Sequence, residues 1–270
     1  MILFKRVGES FRHIEDREWL LLLLETLGVL AGILIAFELQ EWASRRADAA
    51  KHHQLMERLF EESEMDVVLL HNWRSDLASI VDPEKAFSVA LAKGDCPPAA
   101  KWDAVSTVNM MPAVTAPTSV YQELTGAGGL SSVDRRDVRL ALAEFHSTLD
   151  WAQKQVDFFR EARVTPLEPS DSRVRVVFDP TQDEPEVWTF DRAALCADPA
   201  FKSRMASATR AHVVYAEYQT GVEVAAVTMC AALGESMGKS CTPMGRPLTG
   251  QDAEVAQKVV AKMRRTPAKT

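Results

Sequence analysis

The sequence predicts a mainly α-helical protein. An N-terminal transmembrane helix continues into a long stalk helix, followed by a helical bundle domain with a small β-hairpin insertion. Three observations carry this. Residues Leu20 to Phe37 form an apolar run, LLLLLETLGVLAGILIAF. From Glu38 to Val81 neither proline nor glycine interrupts the chain. Clear alternation of polar and apolar residues appears in RVRVVFD and EVWTFD, inside residues 165–197. The expected organisation is an N-terminal flank (1–18), a transmembrane helix (19–42) and a soluble, mostly helical domain (43–270). Within that domain, 165–197 holds the hairpin and its loop, and 236–270 holds a loop and a marginal C-terminal helix.

The apolar run has eighteen residues, which span roughly 27 Å as a helix, close to the hydrocarbon thickness of a bilayer. Trp19 and Trp42 flank it where interfacial aromatic anchors belong. Glu25 interrupts it. The twelve Leu, Ile, Val and Phe residues contribute roughly −5 kcal/mol to insertion, against a cost of about 3 kcal/mol for one central acid. Insertion wins. The run is longer than a signal-peptide core, contains Glu25, and exits into FELQEWASRR without a small-x-small cleavage site. An uncleaved anchor is expected, with the lipid bilayer as its partner.

Gly28, Gly32 and Ala36 recur four residues apart. Such small-xxx-small spacing lets membrane helices approach closely. At about 100° per residue, Glu25 falls on the same face. A carboxyl there is better placed against a partner helix than against lipid. A homo-oligomer is expected through Glu25, Gly28, Gly32 and Ala36.

The stalk follows from Leu55, Leu59, Phe60, Val67, Leu70, Trp73, Leu77 and Ile80, which recur at helical spacing. Asp82-Pro83 is expected to break it, leaving a short helix from Pro83 to Lys93 that stops at Gly94. Residues 94–118 are proline-rich and read as loop, with a helical turn or two around Trp102 to Met110. Ser119 to Leu124 reads as a short helix, and Gly126-Ala127-Gly128-Gly129 as a turn. Asp134 is expected to cap a long helix with Leu140, Leu142, Phe145, Leu149 and Val156 on its apolar stripe. Asp198-Pro199 opens another long helix, expected to end near Gly234. A last helix is expected over Thr249 to Arg265. Antiparallel packing of the stalk and the two long helices makes a bundle.

The net charge is −7, and lysines and arginines form no dense cluster, so no nucleic-acid partner is expected. Lys5, Arg6, Arg12 and Arg17 precede the helix, and Arg45, Arg46, Lys51 and Arg58 follow it. The positive-inside rule therefore nearly ties. The four cysteines tip the balance. Cys96 lies in GDCPPA and Cys241 in KSCTPMG. Polar, proline-flanked loops suit disulfides in an oxidising compartment. The expectation is a large domain outside the cytoplasm, with Cys230 paired to Cys241 and Cys96 to Cys196.

ETLGVLAGILIAFELQEWASRR resembles the N-terminal segment of a bacterial single-pass membrane family, domain of unknown function 6090. Glu25, Gly32, Ile33, Leu34, Ile35, Ala36, Gln40 and Trp42 carry the likeness. VYQELTGAGGLSSVDRRDVRLALAEFH is similar to a second segment of that family through Tyr121, Leu124, Gly126, Gly129, Val138, Arg139 and Leu142. Together they cover about a fifth of the chain. The resemblance implies one membrane pass, a helical domain and the bacterial inner membrane. It carries no activity, and the cysteines and basic tail depart from its pattern.

No catalytic signature stands out. His53 and Glu57 lie one helical turn apart beside His52, but a metal site needs three or four converging ligands. Glu61, Glu62, Glu64 and Asp66 read as a solvated acidic face. The glycine turn at 126–129 lacks the lysine and hydroxyl of a phosphate-binding loop. No cofactor, metal or enzymatic activity is expected. The function expected is a membrane-anchored interaction or scaffold protein that self-associates and meets a protein partner of unknown identity. The alternative is a sensor-like or ligand-binding bundle, its pocket between the long helices and the 94–130 loops.

Overall fold

The computed structural model describes residues 16–126, 129–168, 170–181 and 186–265, without the side chains of residues 16–20 and 22. Among these residues are seven α-helices and one antiparallel hairpin. The helices are α1 (Asp16–Lys93), α2 (Asp103–Thr107), α3 (Ser119–Gly126), α4 (Arg136–Glu161), α5 (Arg192–Ala197), α6 (Pro199–Met237) and α7 (Gly250–Arg265). The strands are β1 (Val174–Phe178) and β2 (Glu186–Phe190), in register from Val174↔Phe190 to Phe178↔Glu186. The chain divides into two compact units, Met1–Glu57 and Arg58–Thr270.

The first unit contains the apolar part of α1. This is one helix long and apolar enough to cross a membrane. Leu24, Leu27, Leu30 and Ile35 are all exposed. Trp42 is exposed too, and the Arg46 guanidinium sits over its ring. The side chain of Trp19 lies outside the described residues.

In the second unit, α1 and α6 run antiparallel. His71 meets Glu223, Glu84 meets His212, and Ser88 meets Thr209, so numbers rise on one helix as they fall on the other. α4 packs beside α6 through Phe159, which meets Tyr215 and Tyr218. A second patch of core gathers Phe87, Trp102, Leu195 and Phe201 under the hairpin, whose Trp188 and Phe190 pack against it. Trp102 Nε1 donates to Pro97 O at 3.0 Å, so the buried indole keeps its hydrogen bond.

Pro83 does not end the stalk, contrary to the sequence expectation: α1 runs through it to Lys93. A proline inside a helix costs about 3 kcal/mol. Here the helical face stays buried on both sides of it, at Val81, Glu84, Phe87 and Leu91. Burying the apolar Val81, Phe87 and Leu91 is worth about 1.5–3 kcal/mol each and outweighs the break. The stop at Gly94 holds, with φ of +89° and its N–H bonded to Leu91 O.

Asp134 does not cap α4. The capping position is Arg135, without a side-chain cap. Leu140 also leaves the predicted stripe and is 55% exposed. It lies two residues from both Val138 and Leu142, about 200° around the helix from these buried neighbours. By contrast, Asp198 caps α6, accepting from Ala200 N, with Pro199 at the first turn. Arg173 clamps this corner between Asp171 and Asp198, both at 2.7 Å, and holds Asp171 down to about 2 through its hydrogen bonds.

Candidate functional site

The acidic stretch of the stalk is not a solvated face. Glu62 reaches across to the start of α3, accepting from Ser119 Oγ, Val120 N and Tyr121 N. It supplies to a neighbouring helix the carboxylate that helix N-termini favour. Glu64 accepts from Thr242 N at 2.7 Å. Asp66 is buried, and its Oδ1 has no hydrogen-bond partner. Burial, then the charge of Glu62, pushes its carboxyl up to about 8. Only Glu61 faces solvent as expected.

One turn further along α1, His71 and Arg74 meet two acids from distant parts of the chain. His71 Nδ1 stands 3.0 Å from Glu223 Oε1 and 3.5 Å from Asp252 Oδ2. Arg74 Nε lies 2.9 Å from Glu223 Oε2, close enough for an ion pair but not aligned as a hydrogen bond. Glu223 is fully buried on α6, and Asp252 is nearly so in the first turn of α7. Burial, then the neighbouring Asp252, raises the Glu223 carboxyl, while Arg74 and His71 oppose this.

The route of the chain after α6 assembles this cluster. α6 passes the expected stop at Gly234 and ends at Met237, capped by Gly238 in the left-handed conformation. Asp252 stands near Glu223 and Arg264 pairs with Glu235. α7 therefore runs parallel to α6, and residues 238–249 must carry the chain back along it. The Cys230–Cys241 disulfide, the Lys239 N–H to Gly234 O bond and the Thr242–Glu64 bond pin that return. Between the returning loop and α1 lies a pocket of about 480 Å³. Val67, Val68, His71, Met244, Arg246 and Asp252 line it. Met244 is the one non-glycine residue with positive φ (52°) among the described residues. Residues 243–249 close this pocket, and a separate hollow on the other core patch is lined by Cys96, Pro97 and Pro98 together with Phe190 and Arg192.

A second polar cluster is sealed in the core. His212 Nδ1 and Glu84 Oε2 lie 2.7 Å apart with both side chains fully buried. Thr107 Oγ1 donates to Glu84 Oε1. This pair ties α1, α2 and α6 together.

The other residues singled out from sequence fall elsewhere. Glu25, Gly28, Gly32 and Ala36 lie exposed on α1, and a Cβ added at either glycine meets nothing within 4 Å. His53 and Glu57 form a loose exposed pair at 3.8 Å. Cys96 is bonded to Cys196 as well as Cys230 to Cys241. Tyr121 stacks on His146, whose imidazole burial lowers to about 4. Leu124 is buried, and Arg139 donates to the carbonyls of Val133 and Asp134. Gly126 closes α3 and Gly129 has φ of +72°, as a turn requires. Ala127 and Gly128 lie outside the described residues.

Sequence reading missed His71, Arg74, Glu223 and Asp252. One signal was available. Glu223 is a lone acid in GVEVAAVTMCAAL, a stretch apolar enough to be core. A buried carboxylate there demands a partner. No family model, curated protein or solved structure matches this chain.

Proposed function

We propose that this chain is a single-pass membrane protein whose helical domain binds a small ligand in the pocket over His71 and Asp252. The pocket itself carries the reading. Its volume of about 480 Å³ falls within the range of small-molecule sites, about 300–1,000 Å³. Its wall includes the left-handed backbone of Met244, and strained backbone gathers where ligands are held. The uncovered apolar stretch of α1 and its resemblance to the single-pass family support the anchor. The two disulfides support an oxidising compartment, the periplasmic side of a bacterial inner membrane.

The test is a thermal-shift screen of the detergent-solubilised full chain against small metabolites. A ligand at 100 times its Kd adds about 2.7 kcal/mol of stability. Val68→Trp, which fills the pocket, should abolish the shift. A shift that persists in Val68→Trp refutes the pocket as the site.

A second reading is self-association through the membrane helix, in a scaffold that meets a further protein partner. The open space around Gly28 and Gly32 favours it, because a second helix can approach closely there. Both readings describe a binding protein and not an enzyme.

A further inference from the structure

His71, Glu223 and Asp252 each offer one ligand atom, and these atoms all lie within 4.8 Å of one another. The measured spans from His71 Nδ1 are 3.0 Å to Glu223 and 3.5 Å to Asp252. With metal–ligand bonds near 2.1 Å, such spans correspond to angles of about 90° and 110° at a central ion. Charge points the same way. Of the two buried carboxylates, Glu223 pairs with Arg74, and Asp252 meets His71, an imidazole and not a permanent cation. Asp252 supplies an independent sign. Its side chain is more than nine-tenths buried and lines the pocket, and its Oδ1 has no hydrogen-bond partner. A buried carboxylate oxygen without a partner is costly unless something occupies the space before it.

We infer that His71, Glu223 and Asp252 bind one divalent transition-metal ion of the zinc or manganese class, with an open coordination position facing the pocket. His71 contributes its neutral imidazole nitrogen, and each acid contributes a carboxylate oxygen. Arg74 holds the second oxygen of Glu223 and so orients the first, the outer support that metal-binding carboxylates use. One imidazole with two carboxylates suits these ions. Ca²⁺ calls for about six to eight oxygen ligands, more than this cluster offers. The inference rests on the pocket reading for the route by which the ion enters.

The test uses the full chain in detergent, stripped with a chelator and titrated calorimetrically with Zn²⁺ and, separately, Mn²⁺. One equivalent should bind. His71→Ala and Asp252→Asn, which remove ligands themselves, should each weaken binding by at least about 100-fold, the upper end of what losing a residue that merely supports a ligand costs, while His53→Ala should leave it unchanged. Half of the His71 side chain is exposed, so His71→Ala should fold, and the melting curve of each metal-free variant checks this. Should Asp252→Asn fail to fold, His71→Ala decides. No saturable binding of either ion overturns the site. So does binding that survives His71→Ala or is lost in His53→Ala. If ligands still occupy the pocket, that failure leaves the pocket reading standing. If the ion binds but no organic ligand is found, the ion site stands alone.

Discussion

Gly234 of α6 and Lys239 of the following loop meet backbone to backbone. Lys239 N–H donates to Gly234 O at 2.8 Å. A Cβ on Gly234 would stand 2.9 Å from Lys239 O, 3.2 Å from the Phe60 ring and 3.3 Å from Cys241 N. The glycine is there for close approach, not for a special φ. It lets the chain double back, and the pocket depends on that return.

Gly234→Ala should therefore destabilise the protein by about 1–3 kcal/mol, as overpacking does. Gly221→Ala, in the same helix with open space around its Cβ, should instead stabilise it by up to about 1 kcal/mol. Chemical denaturation of the two variants side by side checks the pair. Equal stability would mean that the loop moves aside freely.

Asp66 should make stability fall as pH rises. Its carboxyl titrates at about 8 in the fold, well above an unfolded aspartate. Between about pH 4 and 8 the native state keeps a proton that the unfolded chain has lost. Each pH unit in that window removes about 1 kcal/mol, and the loss levels off above the folded value. Asp66→Asn should remove this component and be more stable than wild type at pH 8. A denaturation series from pH 5 to 9 measures the difference, and parallel slopes would assign the pH dependence to another group.

The disulfides should differ in weight. Cys230–Cys241 spans 11 residues, and its loss should cost about 3 kcal/mol in the chain-entropy picture. Cys96–Cys196 spans 100, and its loss should cost about 5 kcal/mol. Serine pairs at each bond, melted under non-reducing conditions, give the order. Thiol labelling of denatured protein taken directly from cells tests the compartment. Four reactive thiols would place the domain on the reducing side.

If the apolar stretch of α1 self-associates in a membrane as proposed, that association should depend on Gly32. Gly32→Leu pushes the backbones apart and should weaken the oligomer. Leu34→Ala, about 160° around the helix from Gly32, should matter much less. Glu25→Gln should be tolerated if the carboxyl donates a hydrogen bond, since the amide also donates. A membrane-helix association reporter reads all three. Equal signals from wild type and Gly32→Leu would make the glycines incidental.

The sequence by itself determined the elements that rest on short-range pattern. The alternation of RVRVVFD and EVWTFD becomes β1 and β2, because strand faces repeat every two residues. Asp198-Pro199 opens α6, and Gly94 ends α1, because caps and breakers act within one turn. The apolar run makes a helix long and apolar enough to cross a membrane, Glu25 notwithstanding. Tertiary structure decided what depends on the opposing surface. Pro83 stays inside a helix because the face around it is buried. Glu62, Glu64 and Asp66 look alike in sequence, yet one caps α3, one holds Thr242 and one is buried without a full set of partners. His71 and Glu223 are 152 residues apart. No local periodicity brings them together, because they meet only once α6 has packed antiparallel to α1 and the pinned loop has carried Asp252 back beside them.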